Sequence, residues 1–224
     1  MLRVIFWKIG CELAHVKRAF WPQYQRKVYY FAFGANLCSE VLETRRIRVF
    51  EEFDHVLENA GLRFTQPGFY RDHGYASADA VEGEVVYGRM FLILESDARR
   101  MDYFEGVPFF GVHEKVFSRG ENFDFYFYRT TRVVEGLKPT REYLDYIVKA
   151  YRQMPAVPQH YLAAIEATEV LQEFEPLEAT GTFVGDLQRW PGFLHPLLLR
   201  YERLCSKMVE LVWHRSLLQW MIRS

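Results

Sequence analysis

The chain has 224 residues, enough to bury one full core and carry an appendage. Its net charge of −1 excludes a global field for nucleic acid or an anionic membrane. Cys11, Cys38 and Cys205 are far apart without CxxC spacing and read as reduced thiols of a cytoplasmic protein. No uncharged apolar run approaches the length of a membrane span.

Residues 1–27 are basic and partly apolar, with Glu12 the only acid among Arg3, Lys8, Lys17, Arg18, Arg26 and Lys27. The apolar piece Val4 to Trp7 is too short for a secretory core. This segment predicts a helix lying on the domain. An organellar presequence shares the basic, acid-poor composition, though not the serine-rich character, and stays open as the alternative.

Val28 to Phe33 reads as an apolar strand that stops at Gly34-Ala35-Asn36, and Cys38 to Arg46 reads as a helix with Ser39 near its start. Glycine and asparagine suit a tight turn, because the first lacks a side chain and the second bonds locally. A strand that turns this way into a helix presents bare N–H groups in a concave corner, a seat for a carboxylate or phosphate. The same residues also serve a turn with no ligand.

Further along, strands are expected over Val49 to Leu57 and Leu62 to Thr65, followed by a break at Gln66-Pro67-Gly68. Tyr70 to Val81, carrying His73 and Asp79, reads as a polar loop, and Glu84 to Leu94 as a long apolar strand in which Gly88 marks a bulge or a close backbone approach. Ser96 is placed to cap a helix over Asp97 to Phe104 that stops at Glu105-Gly106-Val107-Pro108. Phe110 to Phe117 and Phe123 to Arg129 pair as a hairpin around Arg119 to Asn122. Alternation in Phe123 to Tyr128 suggests an aromatic-lined barrel or sandwich. Helices follow over Thr140 to Met154 and Gln159 to Ala167. After a polar linker at Gln172 to Gly185 comes a long helix, Leu197 to Ile222, whose apolar stripe includes Tyr201, Leu204 and Met208.

The turn YFAFGANL, Tyr30 to Leu37, resembles the YFAYGSNL loop of the γ-glutamylcyclotransferase superfamily. Four further blocks follow in the family's order: EVVYGRM (Glu84 to Met90), MDYFEGV (Met101 to Val107), GLKPTREYLDY (Gly136 to Tyr146) and VPQHY (Val157 to Tyr161). Ala35 and Phe33 depart from the family's serine and tyrosine. The resemblance implies an α+β domain over about residues 28–170, a mixed β-barrel or strongly curved sheet with surrounding helices. Residues 1–27 precede it as an extension, and residues 171–224 follow as a linker and C-terminal helical appendage, expected to pack on the domain, with a partner, dimer or membrane-surface contact as the alternative.

The same resemblance implies release of 5-oxoproline from a small γ-glutamyl amide, by attack of the substrate's own α-amine on its γ-carbonyl. The nucleophile belongs to the substrate, so no serine or cysteine nucleophile is needed; no cofactor is expected, and the scattered histidines offer no metal site. Glu105 falls on the family's catalytic glutamate. Its aromatic and apolar neighbours suggest a desolvated carboxyl, and full burial can raise such a pKa by ~3–5, towards the range of a proton shuttle at neutral pH. The turn Phe33, Gly34, Ala35, Asn36 and Leu37 falls on the substrate loop, and Phe110, Tyr128 and Tyr161 on aromatic pocket positions. A non-catalytic binding module is the alternative, favoured by Phe33 and Ala35.

Other constellations fail. His113-Glu114 lacks a histidine at zincin spacing, no GxSxG, Walker or GxGxxG motif occurs, and Thr44 to Arg48 reads as a solvated basic helix end.

Overall fold

In the computed structural model, which describes residues 2–68, 71–107, 112–172, 191–201 and 204, the chain opens with helix α1 (Leu2–Lys17). It continues through strand β1 (Lys27–Ala32), a 3₁₀ turn (Ala35–Leu37) and helix α2 (Ser39–Thr44). Strands β2 (Glu51–Pro67) and β3 (Gly74–Leu94) are followed by helix α3 (Glu95–Phe104). Strands β4 (His113–Arg119) and β5 (Asp124–Thr130) and helices α4 (Arg141–Tyr151) and α5 (Gln159–Glu166) complete the domain.

The strands form one mixed sheet in the order β2-β3-β1-β5-β4, with β1 parallel to β5 and the other pairs antiparallel. β1 is central, and its run of apolar residues is covered on both faces. Tyr30 stacks against Phe91 and Tyr126 on one face, while Phe31, fully buried, packs with Phe33 and Phe125 on the other. The aromatic alternation of β5 thus serves two layers of one core.

The sheet takes the strongly curved form and does not close into a barrel. The long β2–β3 hairpin bends over until His113 reaches Gln66 and the Thr130 N–H reaches Ser77 Oγ, at 3.4 Å in the second case. β2 and β4 nevertheless remain the two edges of the ladder.

Several local expectations are corrected. The two strands expected between Val49 and Thr65 are one strand, bent by a bulge between Glu58 and Ala60, where Asn59 has φ +54°. From Gly74 to Val81 the expected polar loop is the first half of β3. Its polar side chains misled because they have partners: Ser77 serves Thr130, and Asp79 accepts from Thr65 Oγ1 at 2.7 Å. Ser96 is not the cap of α3, which begins at Glu95 after the extended Leu94 and buries Ser96 in its first turn. Thr140 does cap α4, accepting the Tyr143 N–H at 3.2 Å.

Helix α1 lies on α3. Cys11 and Ala14 are buried there, Cys11 Sγ donates to the Arg99 carbonyl, and Glu12 pairs with Arg100. Cys11 and Cys38 are free thiols, and Cys205 lies outside the described residues. At the other end, residues 195–201 and 204 are helical with Leu197, Tyr201 and Leu204 exposed; the remainder of the expected long helix lies outside the described residues. No helix among the described residues is long and apolar enough to cross a membrane.

Candidate active site

The end of α3 presents Glu105. The Val107 N–H bonds back to the Asp102 carbonyl and the Gly106 N–H to that of Tyr103, the paired bonds of a Schellman ending. Gly106 occupies the left-handed position, at φ +66°, that this ending requires. Glu105 is therefore the C-cap, held at a fixed angle to the helix. Asp102, also from MDYFEGV, accepts from Tyr128 OH at 2.7 Å and Lys115 Nζ at 2.9 Å and so ties α3 to β5 and β4.

The turn after β1 meets Glu105 through Asn36, whose Nδ2 donates to Glu105 Oε1 at 3.0 Å and to the Tyr30 hydroxyl at 2.6 Å. Asn36 Oδ1 accepts from Arg45 Nη1 at 2.8 Å, and the same Nη1 donates to Glu105 Oε1 at 2.7 Å. A carboxylate only accepts and a guanidinium only donates, so these contacts define the orientation of the Asn36 amide.

Within the turn, the Leu37 N–H is used on the Gly34 carbonyl at 3.0 Å and the Cys38 N–H on that of Ala35. The Tyr143 hydroxyl accepts the Ala76 N–H at 3.2 Å. Gly34 has φ −111° and ψ −140°, and a Cβ there would meet Ala76 and Tyr143 at 3.4 Å, an ordinary contact.

On the other side of Glu105, His113 Nδ1 lies 2.8 Å from the Glu105 carbonyl oxygen and 3.6 Å from Oε2, while its Nε2 faces Gln66 Oε1. The carbonyl can only accept, so Nδ1 carries a proton.

The expected elevation of the Glu105 pKa is not found. Burial pushes the carboxyl up, but Arg45, His113 and the hydrogen bonds from Asn36 and Arg45 outweigh it and hold the group below the usual carboxylate range. The carboxylate also sits at the carbonyl end of α3, the unfavourable end of the helix dipole, which is a further reason for a cation here. Burial and the Glu105 charge together keep the Tyr30 phenol protonated.

The structure brings Asn36 and Glu105 into direct contact. The Tyr128 ring stands 6.4 Å from His113 and 5.7 Å from Tyr30, with its hydroxyl turned to Asp102. Phe33 contributes its carbonyl to the hydroxyl of Tyr151, which also packs against Tyr161. Tyr161 itself lines a different cavity, with Arg63, Glu84, Glu114 and Arg129, which includes neither Glu105 nor the turn. Phe110 lies outside the described residues. Sequence reading missed Arg45, His113, Gln66, Tyr30 and Tyr143. Arg45 had read as part of a solvated basic end, yet its side chain is only 20% exposed and is paired with Glu105. Among the described residues no three His, Cys, Asp or Glu side chains converge in a way that could hold a metal.

Neither a family model nor a curated protein sequence matches the chain. Solved structures do. One named γ-glutamyl cyclotransferase aligns with a TM-score of 0.55 at 21% identity, over 66% of this chain and 91% of that one. An uncharacterized Homo sapiens protein, loc79017, aligns with a TM-score of 0.54 at 22% identity, over 67% and 93%. YkqA from Bacillus subtilis aligns with a TM-score of 0.53 at 14% identity, over 72% and 60%. With its curved mixed sheet and flanking helices, the chain shares the α+β fold of the solved structure named γ-glutamyl cyclotransferase.

Proposed function

We propose that the protein is a γ-glutamylcyclotransferase: it releases 5-oxoproline and a free amine or amino acid from a γ-glutamyl amide, with Glu105 as base and then acid. The observation that carries the reading is the 3.0 Å hydrogen bond from Asn36 to Glu105, which joins the turn and the acid in one part-buried site. The fold shared with a structure named γ-glutamyl cyclotransferase supports it.

In this reaction the α-amine forms a C–N bond to the carbonyl carbon of the γ-carboxamide and the bond from that carbon to the departing amide nitrogen breaks. One proton leaves the attacking nitrogen and one is delivered to the departing nitrogen. Holding amine and carbonyl together supplies much of the rate, since well-oriented internal attack reaches effective concentrations of about 10⁵–10⁸ M. Glu105 Oε1 is occupied by Asn36 and Arg45, whereas Oε2 has His113 at 3.6 Å, beyond hydrogen-bond distance. Oε2 is thus the oxygen that carries the proton. The Gly34 and Asn36 amides, which have no acceptor among the described residues, would hold the substrate's α-carboxylate.

A second reading, a ligand-binding module without turnover, is favoured by the Arg45–Glu105 ion pair, because a carboxylate held ionised by a guanidinium is a weak base. The two readings part in one experiment. A panel of γ-glutamyl dipeptides and amines is incubated with wild type and Glu105→Gln, and 5-oxoproline is measured by mass spectrometry. Release by wild type that collapses in the variant is expected. Binding of a γ-glutamyl compound without release from any panel member would leave only the module.

A further inference from the structure

Helix α1 precedes the sequence blocks that resemble the cyclotransferases, yet it reaches the site through two arginines. We propose that α1 is a positioning element: Glu12 orients Arg100, and Arg100 holds the backbone of Arg45 so that the Arg45 guanidinium meets Glu105.

Arg100 is 7% exposed and spans the two partners. Its Nη1 donates to Glu12 Oε2 at 2.5 Å, and its Nε donates to the Arg45 carbonyl at 2.6 Å. The guanidinium is a rigid planar fork, so orienting one edge orients the other. Arg45 needs such support because α2 has only six residues, too few to be stable alone, and because the last carbonyls of a helix lack partners within it. The next residue, Arg46, has φ +57°, a conformation non-glycine residues avoid unless their surroundings impose it. Both guanidinium groups also lie over the Phe104 ring, Arg45 at 4.9 Å and Arg100 at 6.0 Å.

The charged and titratable groups around the relay are all accounted for by neighbouring elements. Glu105 is faced by Arg45 after α2, His113 of β4, Tyr30 of β1 and Tyr143 of α4. Arg100 is faced by Glu12, Cys11 and His15 of α1 and by Asp97 and Tyr103 of its own helix. Glu12 is the acid that hydrogen-bonds it. Without Glu12, a largely buried cation loses its counter-ion and turns towards water, and the Arg45 carbonyl loses its donor. The Arg45–Glu105 contact then slackens and the carboxyl becomes easier to protonate.

The test follows the side-chain carboxyl carbon of Glu105 by carbon-detected NMR across pH, its signal assigned by its absence in Glu105→Gln. Wild type, Glu12→Ala, Arg100→Lys and Arg45→Gln are compared. Arg100→Lys keeps the charge but not the fork, and it carries the test should Glu12→Ala fail to fold. The expected result is an upward shift of the Glu105 midpoint in Glu12→Ala and Arg100→Lys, bounded by the larger shift in Arg45→Gln. A midpoint equal to wild type in either folded variant, while Arg45→Gln moves it, would overturn the proposal. Its consequence for turnover rests on the reaction proposed above: the acid limb of the rate profile for 5-oxoproline release should move to higher pH, with KM little changed. If wild type releases no 5-oxoproline, the cyclotransferase reading fails and the titration still decides the relay.

Discussion

Gly88 offers a sharp test of how the sheet positions the site. It sits in β3 opposite His55 of β2, with the β1 backbone passing its other side. A Cβ at this position would lie 2.3 Å from the Ala32 carbonyl oxygen and 2.5 Å from Phe31 Cζ, where ordinary contacts begin at 3.4 Å. About an ångström of movement is therefore required. Phe31 is fully buried, and Ala32 is paired with Arg89 in the ladder, so neither neighbour can yield without breaking packing or hydrogen bonds. Overpacking a core typically costs about 1–3 kcal/mol. With backbone among the contacts, Gly88→Ala should fall near the upper end, about 3 kcal/mol, which for a chain of this size lowers Tm by about 6–12 °C.

Urea unfolding and calorimetry would be run beside Gly10→Ala. Gly10 lies in α1 with nothing within 4 Å of its would-be Cβ. Alanine there should stabilise by about 0.5–1 kcal/mol, since glycine is a poor interior helix residue. If Gly88→Ala unfolds within about 0.5 kcal/mol of wild type, the argument from the close approach of β1 and β3 is wrong.

Tyr151→Phe should cost about 1–3 kcal/mol, because the one proton of the buried phenol lies between the Tyr87 carbonyl at 2.7 Å and the Phe33 carbonyl at 3.0 Å, and phenylalanine removes that donor; urea unfolding indistinguishable from wild type would refute this. Burial pushes the His73 imidazole down to about 4. Between its unfolded value of about 6.5 and that folded value, the unfolded chain takes up the proton and the folded one does not. The His73 contribution is thus complete above the unfolded value and is lost as pH falls towards the folded one. His73→Gln should flatten that stretch of the stability profile, and an unchanged slope would remove His73 as its cause. The collapse of 5-oxoproline release in Glu105→Gln and the raised Glu105 midpoint in Glu12→Ala complete the set.

What the chain reveals on its own is local. Val28 to Phe33 reads as a buried strand, Thr140 as a cap and Glu105-Gly106 as a helix ending because each depends on a few consecutive residues whose backbone preferences agree. Glu105 and Asn36 could be singled out in the same way, from short motifs. The misreadings have a common cause. The first half of β3 looked like a loop because Ser77 and Asp79 are polar, and only the folded sheet supplies the Thr130 and Thr65 groups that pair with them.

The electrostatics of the site also had to wait for the tertiary structure. Aromatic neighbours in sequence suggested a desolvated Glu105, yet Arg45, 60 positions earlier and 2.7 Å from its carboxylate, together with His113 and Asn36 reverses the sign of the shift. Arg45 in turn depends on Arg100, and Arg100 on Glu12, 88 positions away from it. Backbone preference acts over a few residues and can be read along the chain. Charge pairing acts through space over a few ångströms, and only the fold decides which residues come that close.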